Sequence, residues 1–419
     1  MCFKTPLALG IVLVTLSQFL LTPVAAEQGT QGTIPMTGAE RPEFRPLQDA
    51  FLRLMTKQGI PGGALSVRFR GRLLFSRGYG YADVEAGMPW QGNTLCRIAS
   101  ATKPITAASV LLLVQEGKLK LSDKAFAILG YEPFLKPGAS VDRRLHGITV
   151  DQLLHHTGGW DRHTYEPMWH ARSIADEMGV PAPATSRDMV RYMMGRPLDM
   201  NPGEKYAYSN FGYMVLGELV TKLSGTTYER YVQAMLSRMG ISGMRIGASL
   251  MKGRAANEAR YYTPTPNVVA SVFAENGFAP VPYQYGGSTY EAMAAHGGWI
   301  ATADQLTQFA CELANPTRRP VLNATSLAAM VARPARETGL GYYGAGWSVT
   351  NGPAGITVGH GGYVVGANSY FSLRCDGVAF SFLMNGGDSK AGEEAANVLH
   401  GVLDAMRVGD TMPAATAGR

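Results

Sequence analysis

The sequence predicts an α/β (α+β) fold: one lobe of strands and helices made from the two ends of the chain, with a mostly helical lobe inserted. Strand-like alternation is found near both ends of the chain and is scarce between about residues 121 and 282. That middle stretch instead holds helical patterns separated by long Gly/Pro-rich loops. Helical segments also bracket the strands, as a sheet buried under helices requires.

The first 32 residues read "MCFKTPLALGIVLVTLSQFLLTPVAAEQGTQG". Lys4 gives a positive start, Leu7 to Leu21 an apolar core, and Val24-Ala25-Ala26 a small-residue cleavage site. The apolar run falls short of the ~20 residues that span a bilayer. A signal peptide over 1–26, cleaved after Ala26, is therefore expected, with export to the periplasm or beyond and no stable membrane span afterwards. No Cys follows the apolar core, so a lipoprotein is not indicated. Residues 27–44 are polar and breaker-rich and read as a linker, and 411–419 as a flexible tail.

Residues 45–410 form the expected domain, with an α/β lobe from about 45–120 and 283–410 and the helical lobe at about 121–282. "LQDAFLRLMTKQ" carries Leu47, Phe51, Leu54 and Met55 at helical spacing. Leu65, Val67 and Phe69 then alternate with polar residues, and Gly71 supplies the turn into a second strand around Leu73 to Ser76. "VDQLLHHTG", "SRDMVRYMMG" and "NFGYMVLGELVTKLSG" read as helices of the inserted lobe. "ADQLTQFACELAN" is again helical, "GWSVT", "GITVGHGG", "NSYFSLR" and "VAFSFLMNG" are strand-like, and "GEEAANVLHGVLDAM" closes the domain as a helix.

Composition narrows the function. The chain has 419 residues, 46% hydrophobic and 17% charged, enough for a substantial core. The net charge of +6 is modest, and no run of Lys or Arg exceeds two residues, which argues against nucleic-acid binding. Loss of the signal removes Cys2 and leaves Cys96, Cys311 and Cys375, too few and too scattered for a disulfide framework. They read as one bridge or as three buried thiols.

Three short motifs carry chemistry. In "RIASATKPITAASV", Ser100 and Lys103 are three residues apart, so on a helix they share a face. A serine hydroxyl needs a nearby proton acceptor to become a nucleophile, and a desolvated lysine amine can be one. Ser is also a preferred helix cap, and "SLMK" at Ser249 to Lys252 repeats the spacing, so the pattern alone is ambiguous. In "NPGEKYAYSNFGYMVLGELV", Tyr208 is a candidate general base and Asn210 a donor and acceptor for a substrate amide or ester. Ser209 or Asn210 could equally cap the following helix. In "ITVGHGGYVVGANSYF", His360 ends a strand, and Gly361 and Gly362 let a substrate backbone approach and leave N–H groups free for an oxyanion.

In the order Ser-x-x-Lys, Tyr-x-Asn, His-Gly-Gly, these motifs resemble the serine β-lactamase and penicillin-binding superfamily, and most closely class C β-lactamases, related D-peptidases and family VIII carboxylesterases. "ITVDQLLHHTGG" and "HGGWIATADQLTQF" support the resemblance, which runs from about Pro61 to Gly387. It implies an antiparallel sheet of five or more strands flanked by helices, with the site at the join to the helical lobe. It also implies an acyl-enzyme formed on Ser100, with Lys103 as its proton partner, Tyr208 as general base and Asn210 positioning substrate. The backbone N–H groups of Ser100 and Tyr363 would form the oxyanion hole, and no metal or organic cofactor is implied.

One departure bears on substrate. Class C β-lactamases typically carry Lys-Thr-Gly where this chain has His360-Gly361-Gly362. A histidine is mostly neutral at pH 7 and holds a carboxylate less firmly than a lysine. Small acyl esters are therefore the favoured substrates, D-amino-acid peptides second and β-lactams third. No Gly-x-Ser-x-Gly elbow and no His-Glu-x-x-His motif is present. His155, His156, Asp161, His163 and His170 match no standard metal spacing. The competing class is a penicillin-recognising sensor or non-catalytic scaffold on the same fold.

Overall fold

A computed structural model describes residues 34–314, 320–335, 337–352, 355–406 and 408. The expected signal peptide, residues 27–33 of the expected linker and the 411–419 tail lie outside the described residues. The rest of the linker is partly structured: Met36–Thr37 forms a short strand (β1), and Phe44 is fully buried.

Two segments far apart in sequence build the main sheet. The first contributes β1, β2 (Gly62–Phe69), β3 (Arg72–Asp83) and the short β4 (Met88–Pro89). The second contributes β5 (Gly341–Tyr343), β6 (Ser348–Gly352), β7 (Gly355–Val364), β8 (Ala367–Arg374) and β9 (Val378–Met384). The strand order is β1-β3-β2-β9-β8-β7-β6-β5, with β4 on β3, and every neighbouring pair is antiparallel. The segments meet where β2 pairs with β9, placing Leu65 opposite Phe382 and Val67 opposite Phe380. The sheet is thus large, antiparallel and covered by helices, as the family resemblance implied, and its strands come from both ends of the chain, as the alternating patterns predicted.

Because side chains alternate along a strand, β2 and β9 each serve two layers. Leu65, Val67, Phe380 and Phe382 pack with Phe44, Leu47 and Phe51 under α1 (Arg45–Lys57), and with Ala395 and Leu399 of the C-terminal helix Ser389–Ala405. Their neighbours face the opposite layer, helix Ala303–Ala314. The Ser66 and Thr307 hydroxyls are 3.0 Å apart, Ser381 Oγ donates to Ala303 O at 2.6 Å, and Arg68 forks onto Asp304 at 3.0 and 2.9 Å.

The helix after the Ser-x-x-Lys motif, α2 (Lys103–Gln115), is buried continuously from Lys103 to Leu113. A helix apolar all round must lie inside a core, and α2 packs against Asn210–Ser224 (α3), Tyr228–Arg238 (α4) and Ala324–Met330. "VDQLLHHTG" forms only a short helix, Val150–Leu154, because His156 takes a left-handed conformation (φ 55°). Three strands of two or three residues, Cys96–Arg97, Trp299–Ala301 and Arg245–Ile246, tie the approach to Ser100 to the rest of the chain. Cys96 and Cys311 are buried and unbridged, whereas Cys375 is exposed, contrary to the reading of three buried thiols. Among the described residues no helix is long and apolar enough to cross a membrane.

Phe382, fully buried between α1 and the C-terminal helix, tests the junction of the two segments. Phe382→Ala should cost about 3–5 kcal/mol, read as a lower urea midpoint by circular dichroism. A shift below about 1 kcal/mol would show that the β2–β9 junction is not where the core is held.

Candidate active site

Ser100 lies in a tight 3-10 turn, Ala99–Thr102, that runs directly into α2. Ala99 before it has φ +46°, a conformation that costs a non-glycine residue about 1–2 kcal/mol. The surroundings hold it there: Ser369 Oγ on β8 donates to Ile98 O at 2.6 Å, and β7 packs against the turn. The Ser100 hydroxyl caps no helix terminus. It faces Lys103 Nζ at 3.1 Å and accepts from the Tyr208 hydroxyl at 3.0 Å.

Lys103 is fully buried, and its Nζ has two further acceptors, Asn210 Oδ1 at 2.7 Å and His296 O at 3.0 Å. The Tyr208 and Tyr213 rings lie 4.7 and 5.6 Å from it. Burial pushes its pKa well below the usual lysine range; the Glu166 carboxylate opposes this, and the Arg162 guanidinium adds to it. Nζ thus meets three oxygens, Ser100 Oγ, Asn210 Oδ1 and His296 O, while burial weakens its hold on its third proton.

Tyr208 and Asn210 flank a helix start. Ser209 is the cap of α3, its Oγ accepting from the Gly212 N–H at 3.2 Å, which leaves the residues on either side for other partners. Burial raises the Tyr208 phenol well above its usual range, so at neutral pH it is a donor. Asn210 gives its amide nitrogen to Glu166, at 2.9 Å to Oε1 and 2.8 Å to Oε2, and turns its oxygen to Lys103.

His360, on β7, is engaged at both ring nitrogens. Gly361 O, 2.6 Å from Nδ1, can only accept, so Nδ1 carries the proton and Nε2 accepts from the Tyr343 hydroxyl at 3.0 Å. Burial, with Lys103 nearby, lowers its pKa to about 3 and keeps the ring neutral. The two glycines differ. A Cβ on Gly362 would collide with Ile98 O and sit 3.0 Å from the Ser100 amide nitrogen, so β7 runs hard against the Ser100 turn. A Cβ on Gly361 would meet its nearest atom at an ordinary 3.7 Å.

Ser100, Tyr208, Asn210, His360, Gly361, Gly362 and Tyr363 all line one cavity of about 760 Å³. Its charged lining side chains are Arg162 and Glu393, of opposite sign. Lys103 touches this group from below, so every residue singled out from the three motifs converges here. The repeated spacing at Ser249 does not. Ser249 is buried with Oγ donating to Glu291 and accepting from the Tyr290 N–H at 2.7 Å, while Lys252 pairs with Glu275 in solvent at 3.0 Å.

Sequence reading missed three contributors. Glu166 lies 44 positions before Asn210, with no spacing to link them. Tyr343 sits on β5, a three-residue strand too short for a periodic signal. His156 packs between the Tyr208 and Tyr343 rings, at 4.3 and 4.5 Å, and its Nδ1 accepts the Ser209 N–H at 3.1 Å. That role sets it apart from the other histidines of the His155-to-His170 stretch. His155 turns to Asp151, and His163 and His170 are exposed.

The chain belongs to the Beta-lactamase family, whose model matches residues 47–403. Protein flp of Staphylococcus aureus (strain COL) is 30% identical over 183 residues, 42% of this chain and 33% of the relative. The chain thus spans about a third of that relative's length. Among solved structures, EstCE1, described as a hydrolase with promiscuous acyltransferase activity, superposes with a TM-score of 0.66 at 19% identity, over 86% of this chain and 98% of that one. The D-amino acid amidase of Ochrobactrum anthropi SV3 gives 0.64 at 21% identity, over 86% and 99%. Both show the shared fold.

The contrast between the glycines is testable. Gly361→Ser should fold and retain at least about a tenth of the rate of Ser100 labelling by a fluorophosphonate, since a Cβ fits there. Gly362→Ala should cut labelling by about 100-fold or more, because the strand must retreat from Ser100. Equal rates in the two variants, by intact mass, would contradict the packing described.

Proposed function

We propose that the protein is a two-step serine hydrolase that acylates Ser100 and favours small, uncharged acyl esters. The observation that carries the reading is the buried contact of Lys103 Nζ with the Ser100 hydroxyl, closed by Tyr208 on the other side. Family membership supports a hydrolase, and the amidase and the EstCE1 hydrolase with acyltransferase activity that share the fold support chemistry at an acyl group.

In the first step Ser100 Oγ attacks the carbonyl carbon and its proton passes to Lys103 Nζ. The Ser100 and Tyr363 backbone N–H groups receive the developing oxyanion at the edge of β7. The proton then moves through the Tyr208 hydroxyl to the departing alcohol oxygen as the ester bond breaks. Water attacks the acyl-enzyme, returns a proton to Ser100 along the same groups, and the acid leaves. The burial that raises the Tyr208 phenol makes Lys103 the resting base and Tyr208 the shuttle, a refinement of the role read from the motif alone.

The ester preference follows from charge. β-Lactams and peptide C-termini bring a carboxylate, and the residue standing where a lysine is typical is a neutral imidazole with both nitrogens occupied. Arg162 and Glu393 leave the cavity walls without net charge. His360 contributes no ionisation near neutrality, so the rate should rise with pH as Lys103 loses its proton and show no second break from this ring.

Turnover of p-nitrophenyl butyrate, a D-Ala-D-Ala peptide and nitrocefin should rank in that order of kcat/KM, with Ser100→Ala at least about 1,000-fold down on the ester. Nitrocefin ahead of the ester would reverse the substrate assignment. Undiminished turnover by Ser100→Ala would remove Ser100 from the reaction.

A further inference from the structure

We propose that Glu166 is a positioning residue, coupled to Lys103 through the Asn210 side chain in a Ser100–Lys103–Asn210–Glu166 relay. The proposal rests on the reading of Ser100 and Lys103 above and adds a group that does not itself line the cavity.

Glu166 is 5% exposed, and among the described residues no lysine, arginine or histidine forms an ion pair with it. A buried carboxylate is tolerated only where hydrogen bonds and an opposite charge compensate it. Its hydrogen bonds come from Asn210: the amide Nδ2 at 2.9 and 2.8 Å and the backbone N–H at 3.4 Å. The opposite charge is the ammonium that Lys103 becomes when it takes the Ser100 proton.

The amide between them has a direction. Nδ2 can only donate and Oδ1 can only accept. A carboxylate has no proton to give, so it captures the nitrogen and forces the oxygen onto Lys103 Nζ at 2.7 Å. The reverse orientation would press an N–H against another N–H. Glu166 therefore selects which end of Asn210 the lysine meets.

Its charge acts on Lys103 as well. The groups facing the amine are the Tyr208 and Tyr213 rings, His156, His296 and His360, the Arg162 guanidinium, and Glu166. Burial keeps the three histidines neutral, and Arg162 disfavours a second cation. Glu166 is the anion among them, and it favours the protonated lysine that forms as Ser100 attacks.

A purely structural role is the alternative, since Glu166 also receives the Asn210 backbone N–H at the start of α3. Glu166→Gln separates the two: it keeps the volume and an acceptor, removes the charge, and can bind Asn210 in either orientation. The readout is the second-order rate of fluorophosphonate labelling at Ser100, by intact mass from about pH 5 to 9, with melting midpoints to confirm folding. Glu166→Gln should label about 10–100-fold more slowly, with its acid limb moved to lower pH because Lys103 has lost a neighbouring anion. A wild-type rate, or a slower rate with an unmoved limb, would reduce Glu166 to a structural cap.

Should Glu166→Gln not fold, Asn210→Ala keeps the carboxylate but removes the bridge. Labelling at the wild-type rate by that variant would overturn the relay, and slowing by a comparable factor supports it. Ser100→Ala keeps the two readings apart. Residual labelling in Ser100→Ala refutes the Ser100 assignment itself. A blank Ser100→Ala beside a wild-type-like Glu166→Gln refutes only the role of Glu166.

Discussion

The site depends on keeping one lysine amine out of water. In solvent Lys103 would be a charged surface group with no reason to turn towards Ser100. Buried in α2, with the Asn210 amide and a backbone carbonyl as acceptors, it is restricted to one geometry and loses much of its hold on a third proton. The continuous burial of Lys103 to Leu113 thus fixes the amine as well as filling the core. The aromatic surround of Tyr208, Tyr213, His156 and Tyr343 encloses it without offering a competing charge.

The sheet supplies the other half of the geometry. The β7 edge approaches Ser100 closely enough that Gly362 cannot carry a side chain, and β8 secures the turn through Ser369. Ala99 is kept in a left-handed conformation by this packing, so the turn's shape belongs to the whole fold and not to its local sequence. The same strand carries His360, which spends both nitrogens on Gly361 and Tyr343.

Much of this was legible in the sequence. The strands near both ends and the helices between them followed from periodicity, and Ser100, Lys103, Tyr208 and Asn210 from motif order. The coincidental spacing at Ser249 showed that one motif cannot choose, and its buried bond to Glu291 supplies the physical reason the residue is present. What escaped the sequence were partners joined only in three dimensions. Glu166 is separated from Asn210 by the helices Ala171–Met178 and Ser186–Met194 and the loops that follow them, and no spacing links the two. The occupancy of the His360 ring was equally hidden, since a sequence shows an imidazole but not what its nitrogens meet.

The pairing of β2 with β9 has a consequence for when the site comes into being. Ser100 belongs to the early part of the chain, yet the strand edge beside it hangs on β8 and β9, about 270 residues further along. Contacts of such long sequence separation form slowly and late. A chain still emerging from synthesis can fold local helices such as α2 and α3 but has no β7 edge to set against Ser100. The arrangement around Ser100 is therefore withheld from every incomplete copy and is completed only as β9 is seated.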